Sequence, residues 1–164
     1  MDLTQQRLRE VLRYDPLTGV FCWRVTRSPN ARAGSIAGCI NAQGYVKISI
    51  DRRIHSAHRL AWLYTHGVWP AGDIDHKDAV RSNNSIANLR PATDSENGAN
   101  ARRPSDNTSG FKGVCWNGQH KRWVARIKAH GRRVHIGYFD NPAIAHKAYV
   151  AKAVELFGDF ARAA

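Results

Sequence analysis

The chain of 164 residues has few cysteines and no long apolar segment. Its three cysteines, Cys22, Cys39 and Cys115, lie far apart, which argues against a disulfide framework, and no Cys-x-x-Cys pair is present to bind zinc. No apolar run approaches the roughly 20 residues that a membrane helix needs. The polar start MDLTQQRLREV lacks the apolar core of a signal peptide. These absences predict an intracellular, cytoplasmic protein without membrane association.

Acidic residues are also scarce. The chain has 13 acidic and 25 basic side chains, so its net charge is +12 and its pI is about 10.3. Between Lys112 and Arg133 there are seven basic residues and no acidic one. Such one-sided charge favours a polyanionic partner, and nucleic acid is the first candidate. Hydrophobic residues make up 43% of the chain, which is enough to form a core rather than a disordered segment.

The length is sufficient for one ordinary domain or two small ones, and a polar segment with Pro, Gly and Ser predicts a division. We expect an N-terminal domain over residues 1–100, a linker over 101–108 and a C-terminal domain over 109–164. Apolar periodicity and turn residues predict, in the first domain, a helix over 3–14, strands at 20–25 and 44–50, a helix ending at Gly67, and a helix capped by Asp94 or Ser95.

The C-terminal part has a more regular pattern. Three short strands are predicted at 111–116, 122–129 and 133–139, followed by a helix that Asn141 caps and Pro142 begins. These elements predict a three-stranded antiparallel sheet packed on one helix. Strand alternation places Ala125 and Ile127 on the helix side and basic residues on the exposed side. The expected fold class of the whole chain is therefore α+β.

The segment from Gly72 to Asn100 contains the residues best suited to catalysis. Asp75 and His76 are adjacent, Asn88 follows His76 by twelve residues, and Asn97 follows Asn88 by nine. A neutral histidine can take a proton from water near pH 7. A carboxylate and an amide oxygen can hold a hard cation such as Mg²⁺, which relieves the charge on a phosphate. Asn83 and Asn84, in the same segment, are interpreted as loop formers first, with contact to phosphate as the alternative.

The ordered set resembles the HNH motif of phage-type homing endonucleases, and the sequence HRLAW at 58–62 is similar to the same family. The resemblance covers about residues 15–100 and implies a ββα-metal fold of two short strands and a helix. It implies that His76 is the general base, that Asp75 and Asn97 bind a single Mg²⁺ or Mn²⁺, and that Asn88 orients the loop. The last position of the motif is often His, and Asn97 at that position favours a hard metal over zinc.

The C-terminal part resembles an AP2 DNA-binding domain, through SGFKGV at 109–114, WVARI at 123–127, IGYF at 136–139 and the alanine-rich helix after Pro142. The resemblance implies a sheet that enters the major groove of DNA. We expect arginines at base edges and lysines at phosphates, while Cys115 and Asn117 stand where the family usually has arginine. The predicted DNA-binding residues are Arg102, Arg103, Lys112, Cys115, Asn117, Arg126, Lys128, Arg133 and His135.

Together these features predict a metal-dependent DNA endonuclease of the homing type, phage-encoded and acting in a bacterial host. Its partner would be double-stranded DNA, with one Mg²⁺ or Mn²⁺ per active site and no small-molecule organic cofactor. The chain would act as a monomer or a weak dimer, by nicking or by cutting both strands. The first alternative is a non-catalytic, sequence-specific DNA-binding regulator, and the second is an RNA-binding protein.

Overall fold

The computed structural model describes residues 3–162, and it contains two compact units. The N-terminal unit extends to Pro91, and the C-terminal unit begins at Ala92. Each unit has its own buried apolar cluster. Among the helices of residues 3–162, none is long and apolar enough to cross a bilayer.

The N-terminal unit begins with helix α1, Gln5–Val11, in which the Thr4 hydroxyl caps the first turn. The helix was expected to continue to Tyr14, and this expectation is wrong. The chain becomes extended at Leu12, and strand β1, Leu12–Tyr14, pairs antiparallel with strand β2, Phe21–Trp23. Alternation along β1 buries the side chains at 12 and 14 together, whereas a helix would separate them.

A second sheet of the N-terminal unit has the order β3-β4-β5, with strands Cys39–Ile40, Val46–Ile50 and Arg53–Ser56. Helix α2, Ala57–His66, follows directly and ends at Gly67, as predicted. Gly67 adopts a left-handed conformation with φ 80°, which favours glycine. The core lies between α1, α2 and the inner sides of these sheets, and Leu8, Leu60 and Ile48 are fully buried in it.

Strands β6, Asp73–His76, and β7, Leu89–Ala92, form a two-stranded sheet. The loop between them covers residues 77–88 and ends in a single 3₁₀ turn, Ile86–Asn88. This hairpin agrees with the two short strands that the HNH resemblance implied. Its first strand buries Asp75 and His76, which is unusual because both side chains are polar.

The C-terminal unit begins with helix α3, Asp94–Asn100. Its cap is Thr93 rather than the expected Asp94 or Ser95, because the Thr93 hydroxyl accepts from the Glu96 amide while the Glu96 carboxylate accepts from the Thr93 amide. The last two residues of the helix, Ala99 and Asn100, are buried.

Three antiparallel strands follow, in the order β10-β9-β8, with ranges Val114–Asn117 for β8, Arg122–Ala129 for β9 and Arg132–Phe139 for β10. Helix α4, Pro142–Phe157, is capped by the Asn141 side chain, and a 3₁₀ turn, Gly158–Phe160, follows it. The predicted sheet and its helix are therefore confirmed as elements, and the AP2 assignment stays a prediction.

The core of the C-terminal unit lies between α4 and the sheet. Small alanines of α4 let the helix approach closely, and Tyr149 lies over Gly113. A Cβ atom at position 113 would lie 2.1 Å from the Tyr149 ring, so only glycine fits there. Ala99 of α3 belongs to the same core, and the Ser95 hydroxyl accepts from the His130 amide at 2.9 Å. This packing is why the compact units divide ahead of α3, whereas the sequence analysis assigned α3 to the N-terminal domain.

Candidate active site and DNA-binding surface

His76 lies at the end of β6, where only 4% of its surface is exposed. Its Nε2 atom is 3.3 Å from the Asn84 amide oxygen, while the Asn84 amide nitrogen donates to the Ser82 carbonyl at 3.0 Å. Because the amide oxygen can only accept, Nε2 carries the proton and the lone pair of the ring lies on Nδ1. The loop therefore selects the tautomer of the histidine that the sequence identified as a general base.

Asn84 is a site residue whose role sequence reasoning missed. It is 2% exposed, and the Tyr14 hydroxyl donates to its carbonyl oxygen at 2.7 Å. Gly19 packs so closely that a Cβ there would lie 2.3 Å from the Asn84 carbonyl carbon. No sequence signal separates Asn84 from the turn-forming asparagine beside it, because Tyr14, whose hydroxyl bonds to its carbonyl, lies 70 residues away along the chain.

Asn88 closes the loop that follows His76. Its amide nitrogen donates to the Asp78 carboxylate at 3.0 Å and to the Asn83 carbonyl at 2.8 Å, and its amide oxygen accepts from the Asp78 backbone amide at 3.1 Å. The Asn88 carbonyl also accepts from the Lys77 amide at 2.9 Å. These contacts fit the loop-orienting role that the HNH resemblance implied for Asn88.

Two aromatic side chains lie against His76. The ring centroids of His58 and His76 are 5.2 Å apart in an edge-to-face arrangement, and those of Tyr45 and His76 are 6.1 Å apart. Burial lowers the pKa of His76 below its usual value of 6.5, and the hydrogen bond that its Nε2–H donates to Asn84 opposes this shift. Burial, followed by the charge of His76, lowers the pKa of His58 to about 3. Both imidazoles are therefore neutral near pH 7.

Asp75 is 7% exposed and forms an ion pair with Arg90. Its Oδ2 atom accepts from Nε of Arg90 at 2.9 Å and lies 2.8 Å from a terminal guanidinium nitrogen. Asn97 is half-buried in α3 of the C-terminal unit. The structure therefore brings Asp75, His76 and Asn88 together on the hairpin, while the fourth residue of the motif belongs to the other unit.

The possible metal ligands are oxygen donors. Within residues 3–162, no group of three or more His, Cys, Asp or Glu side chains is arranged to hold a metal ion. The donors that the motif offers are one carboxylate, Asp75, and one amide oxygen, Asn97. This set fits Mg²⁺ or Mn²⁺ by its chemistry, since such ions bind through few protein oxygens and keep several waters.

The exposed side of the C-terminal sheet carries a cluster of cations, named here the basic face. Arg126 lies opposite His135, and Lys128 lies opposite Arg133, so the four side chains share one side of the sheet. All four are exposed, and no carboxylate in the described part of the chain forms an ion pair with them. Unneutralised cations this close repel each other, and a polyanion would relieve that repulsion.

The other predicted DNA contacts lie in different environments. Cys115 is an exposed free thiol on the same side of the sheet as the basic face, opposite Val124. The Asn117 side chain accepts from the His120 amide at 3.0 Å and so closes the β8–β9 turn. Arg102 and Arg103 are exposed, and Arg103 donates to the Asn107 carbonyl at 3.1 Å.

The prediction that Lys112 contacts DNA phosphate is wrong. Lys112 is 6% exposed, and its ammonium donates to the carbonyls of Ala99 at 2.5 Å, Ala101 at 2.6 Å and Arg162 at 3.3 Å. All three donors of the ammonium are thereby used inside the C-terminal unit. Burial lowers the pKa of Lys112 to about 8. Lys112 therefore stabilises the C-terminal end of α3 and does not contact a ligand.

Comparisons with known proteins found a family model and a relative that match parts of this chain. A family model described as HNH endonuclease matches residues 55–99, a range that includes His58 and all four residues of the motif. Protein 3.8 of Escherichia phage T7 is 34% identical over 106 residues, which are 64% of this chain and 87% of that protein. No solved structure matches the chain. The chain therefore carries an HNH endonuclease domain over residues 55–99 and is a homologue of this phage protein.

Proposed function

We propose that this protein is a metal-dependent DNA endonuclease in which His76 activates the attacking water. The observation that carries the proposal is the environment of His76: a buried, neutral imidazole with its tautomer set by Asn84, at the end of a hairpin strand next to Asp75. A general base must be neutral at working pH and fixed in orientation, and this histidine meets both conditions. The family match supports the same reaction class.

In the proposed reaction, Nδ1 of His76 accepts a proton from water while the water oxygen forms a bond to phosphorus. The P–O bond to the leaving oxygen of the sugar breaks, and that oxygen takes a proton from solvent. Asn88 keeps the loop closed, so that the imidazole does not turn away during the attack. A bound Mg²⁺ or Mn²⁺, held by Asp75 and Asn97, would neutralise charge on the phosphate.

The basic face of the C-terminal unit is proposed to position the DNA. Arg126 and Arg133 present bidentate guanidinium groups suited to guanine, and Lys128 suits phosphate. His135, Cys115 and Asn117 lie on or beside the same side of the sheet, and Arg102 and Arg103 add exposed charge ahead of it. One sheet of this size gives modest sequence specificity, which fits a homing-type enzyme that tolerates variation in its target. We propose double-stranded DNA as the substrate and a monomer or weak dimer as the active form.

A DNA-binding regulator without nuclease activity is the second candidate. The ion pair between Asp75 and Arg90 favours it, because this pair compensates the buried carboxylate without any metal. A regulator would keep the basic face and would have no need of a neutral, oriented His76.

Plasmid nicking separates the two candidates. Purified protein is incubated with supercoiled plasmid and Mg²⁺ or Mn²⁺, with and without EDTA. Metal-dependent nicking that His76→Ala abolishes and His66→Ala retains would support the nuclease, since His66 is an exposed histidine of the same unit. DNA binding without nicking in either metal would favour the regulator.

A further inference from the structure

Two cations lie over one aromatic ring beside His76. The guanidinium carbon of Arg81 is 5.0 Å from the centroid of the Tyr45 ring, and the Lys47 ammonium is 5.8 Å from the same centroid. The Tyr45 ring is itself 6.1 Å from the ring of His76. We name the set of Tyr45, Arg81 and Lys47 the Tyr45 platform.

Hydrogen bonds to neutral groups hold Arg81 and Lys47 of the platform in place, and these bonds do not neutralise the two positive charges. Arg81 donates one hydrogen bond, to the Gln43 carbonyl at 2.8 Å, and Lys47 donates to the Ser56 hydroxyl at 2.7 Å. Neither cation forms an ion pair with any carboxylate among residues 3–162. A guanidinium has five N–H donors in a planar fork, so most of the donor capacity of the exposed Arg81 is available to a ligand.

The partners of Arg81 fix where this charge lies. Stacking on Tyr45 and bonding to Gln43 hold the guanidinium between the β3–β4 turn and the loop that follows His76. A cation that serves only solubility needs neither a stacking partner nor a place next to the general base.

We propose that Arg81, supported by Tyr45 and assisted by Lys47, binds a phosphate of the DNA strand close to the scissile bond and so positions the substrate at His76. The inference rests on the proposed nuclease function of the same site. The path from the His76 ring to the Tyr45 ring and on to the Arg81 guanidinium is the sum of the two distances given above. One strand of duplex DNA advances roughly 3.4 Å along the helix axis per nucleotide, so this path corresponds to at most about three nucleotides. The contacted phosphate therefore lies within about three nucleotides of the cut.

The first test measures DNA binding in a His76→Ala background, which prevents cleavage. Affinity for a short duplex of fixed sequence is measured over a range of salt concentrations. Arg81→Ala is expected to reduce the slope of log K against log salt by about 0.9, the value for one phosphate contact in duplex DNA. Arg32→Ala is the matched control, since Arg32 is an exposed arginine of the same unit that donates to a backbone carbonyl. Equal slopes for the two variants would overturn the proposal.

The second test locates the phosphate. After the cut site on a plasmid has been mapped, duplexes carrying a single neutral methylphosphonate at each flanking position are bound and cleaved. Wild-type protein is expected to lose affinity at one position within three nucleotides of the cut, and Arg81→Ala is expected to be insensitive there. Equal sensitivity of both proteins at every position contradicts the assignment.

The two tests distinguish failure of the Arg81 proposal from failure of the proposed nuclease function. If wild-type protein cuts no DNA, the nuclease proposal fails, while the salt slope still decides whether Arg81 contacts phosphate. Arg81→Gln, which keeps a donor for the Gln43 carbonyl but removes the charge, replaces Arg81→Ala if the latter unfolds. Tyr45→Phe, which keeps the ring, is expected to leave the slope unchanged, whereas Tyr45→Leu is expected to reduce it.

Discussion

Both units bury polar side chains, but they use them differently. In the N-terminal unit the buried polar residues include His76 and Asn84, which contact each other through their side chains. In the C-terminal unit, buried Lys112 donates to three backbone carbonyls. A side chain that saturates backbone carbonyls stabilises a fold. A titratable side chain held by another side chain has a fixed orientation, which a general base requires, so the partner adds information that burial alone does not give.

The distribution of exposed charge shows a second contrast. In the N-terminal unit, Asp51 forms ion pairs with Arg7 and Arg27, so part of the positive surface is neutralised. The three cations of the basic face in the C-terminal unit, Arg126, Lys128 and Arg133, have no such partners among the described residues. The first unit therefore neutralises part of its exposed charge with its own carboxylates, and the second leaves a group of cations unneutralised on one side of a sheet.

The sharpest test of the comparison is removal of the imidazole. His76→Gln is expected to lower the cleavage rate by about 10²–10⁴-fold, the usual contribution of a general base, with little change in DNA affinity. Single-turnover cleavage and equilibrium binding measure the two effects. A similar loss in binding would mean that His76 supports the fold as Lys112 does.

The counterpart in the C-terminal unit is Lys112→Met. This change removes the ammonium that donates to three carbonyls, and it is expected to lower the free energy of unfolding by about 1–3 kcal/mol. Denaturant unfolding of the full chain measures the effect, and Lys128→Met, at an exposed lysine of the same unit, is the control. If Lys112→Met instead weakens DNA binding with no loss of stability, the structural role assigned to Lys112 is refuted.

Within the basic face, substitution of an arginine and of a lysine should affect DNA binding differently. Arg126→Ala is expected to reduce discrimination between target and random duplex by about 1–3 kcal/mol, because a bidentate contact with guanine is lost. Lys128→Ala should weaken binding to both duplexes equally. Competition binding distinguishes the two patterns, and equal discrimination in both variants would place sequence recognition elsewhere.

The smallest expected effect is a shift in pH dependence. Because the pKa of His76 lies below 6.5, cleavage by the wild type should fall only as the pH drops below that value, where the imidazole takes up a proton. Asn84→Asp places a negative charge beside Nε2, which raises the pKa of His76 and moves the loss of activity to higher pH. Cleavage rates across pH measure the shift. An unchanged profile would mean that His76 is not the group whose protonation stops the reaction.

Much of the site could be predicted because its residues are close in sequence. Asp75, His76 and Asn88 lie on one hairpin, and their spacing and chemistry are sufficient to suggest a nuclease. The strands and helix of the C-terminal unit follow from alternation and from the cap at Asn141. These features depend on local patterns, which a sequence carries directly.

The features that the sequence did not predict depend on contacts between residues far apart along the chain. Leu8, Val11 and Leu12 fit a helical pattern, and only the pairing of β1 with β2 ends the helix at Val11. Lys112 lies in a run of basic residues that a sequence cannot sort into exposed and buried. Its burial follows from carbonyls at positions 99, 101 and 162. Asn84 likewise depends on Tyr14, far away along the chain.

The contacts of Tyr14 and Gly19 with Asn84 have a consequence for how far the chain can be shortened around the proposed site. The Tyr14 hydroxyl and the Gly19 backbone pack against the loop that carries Asn84. Both residues lie outside the matched HNH segment, which begins at residue 55. A fragment cut to the recognisable signature would retain His76 and lose the support of its hydrogen-bond partner. The smallest working piece must therefore include the hairpin near the start of the chain.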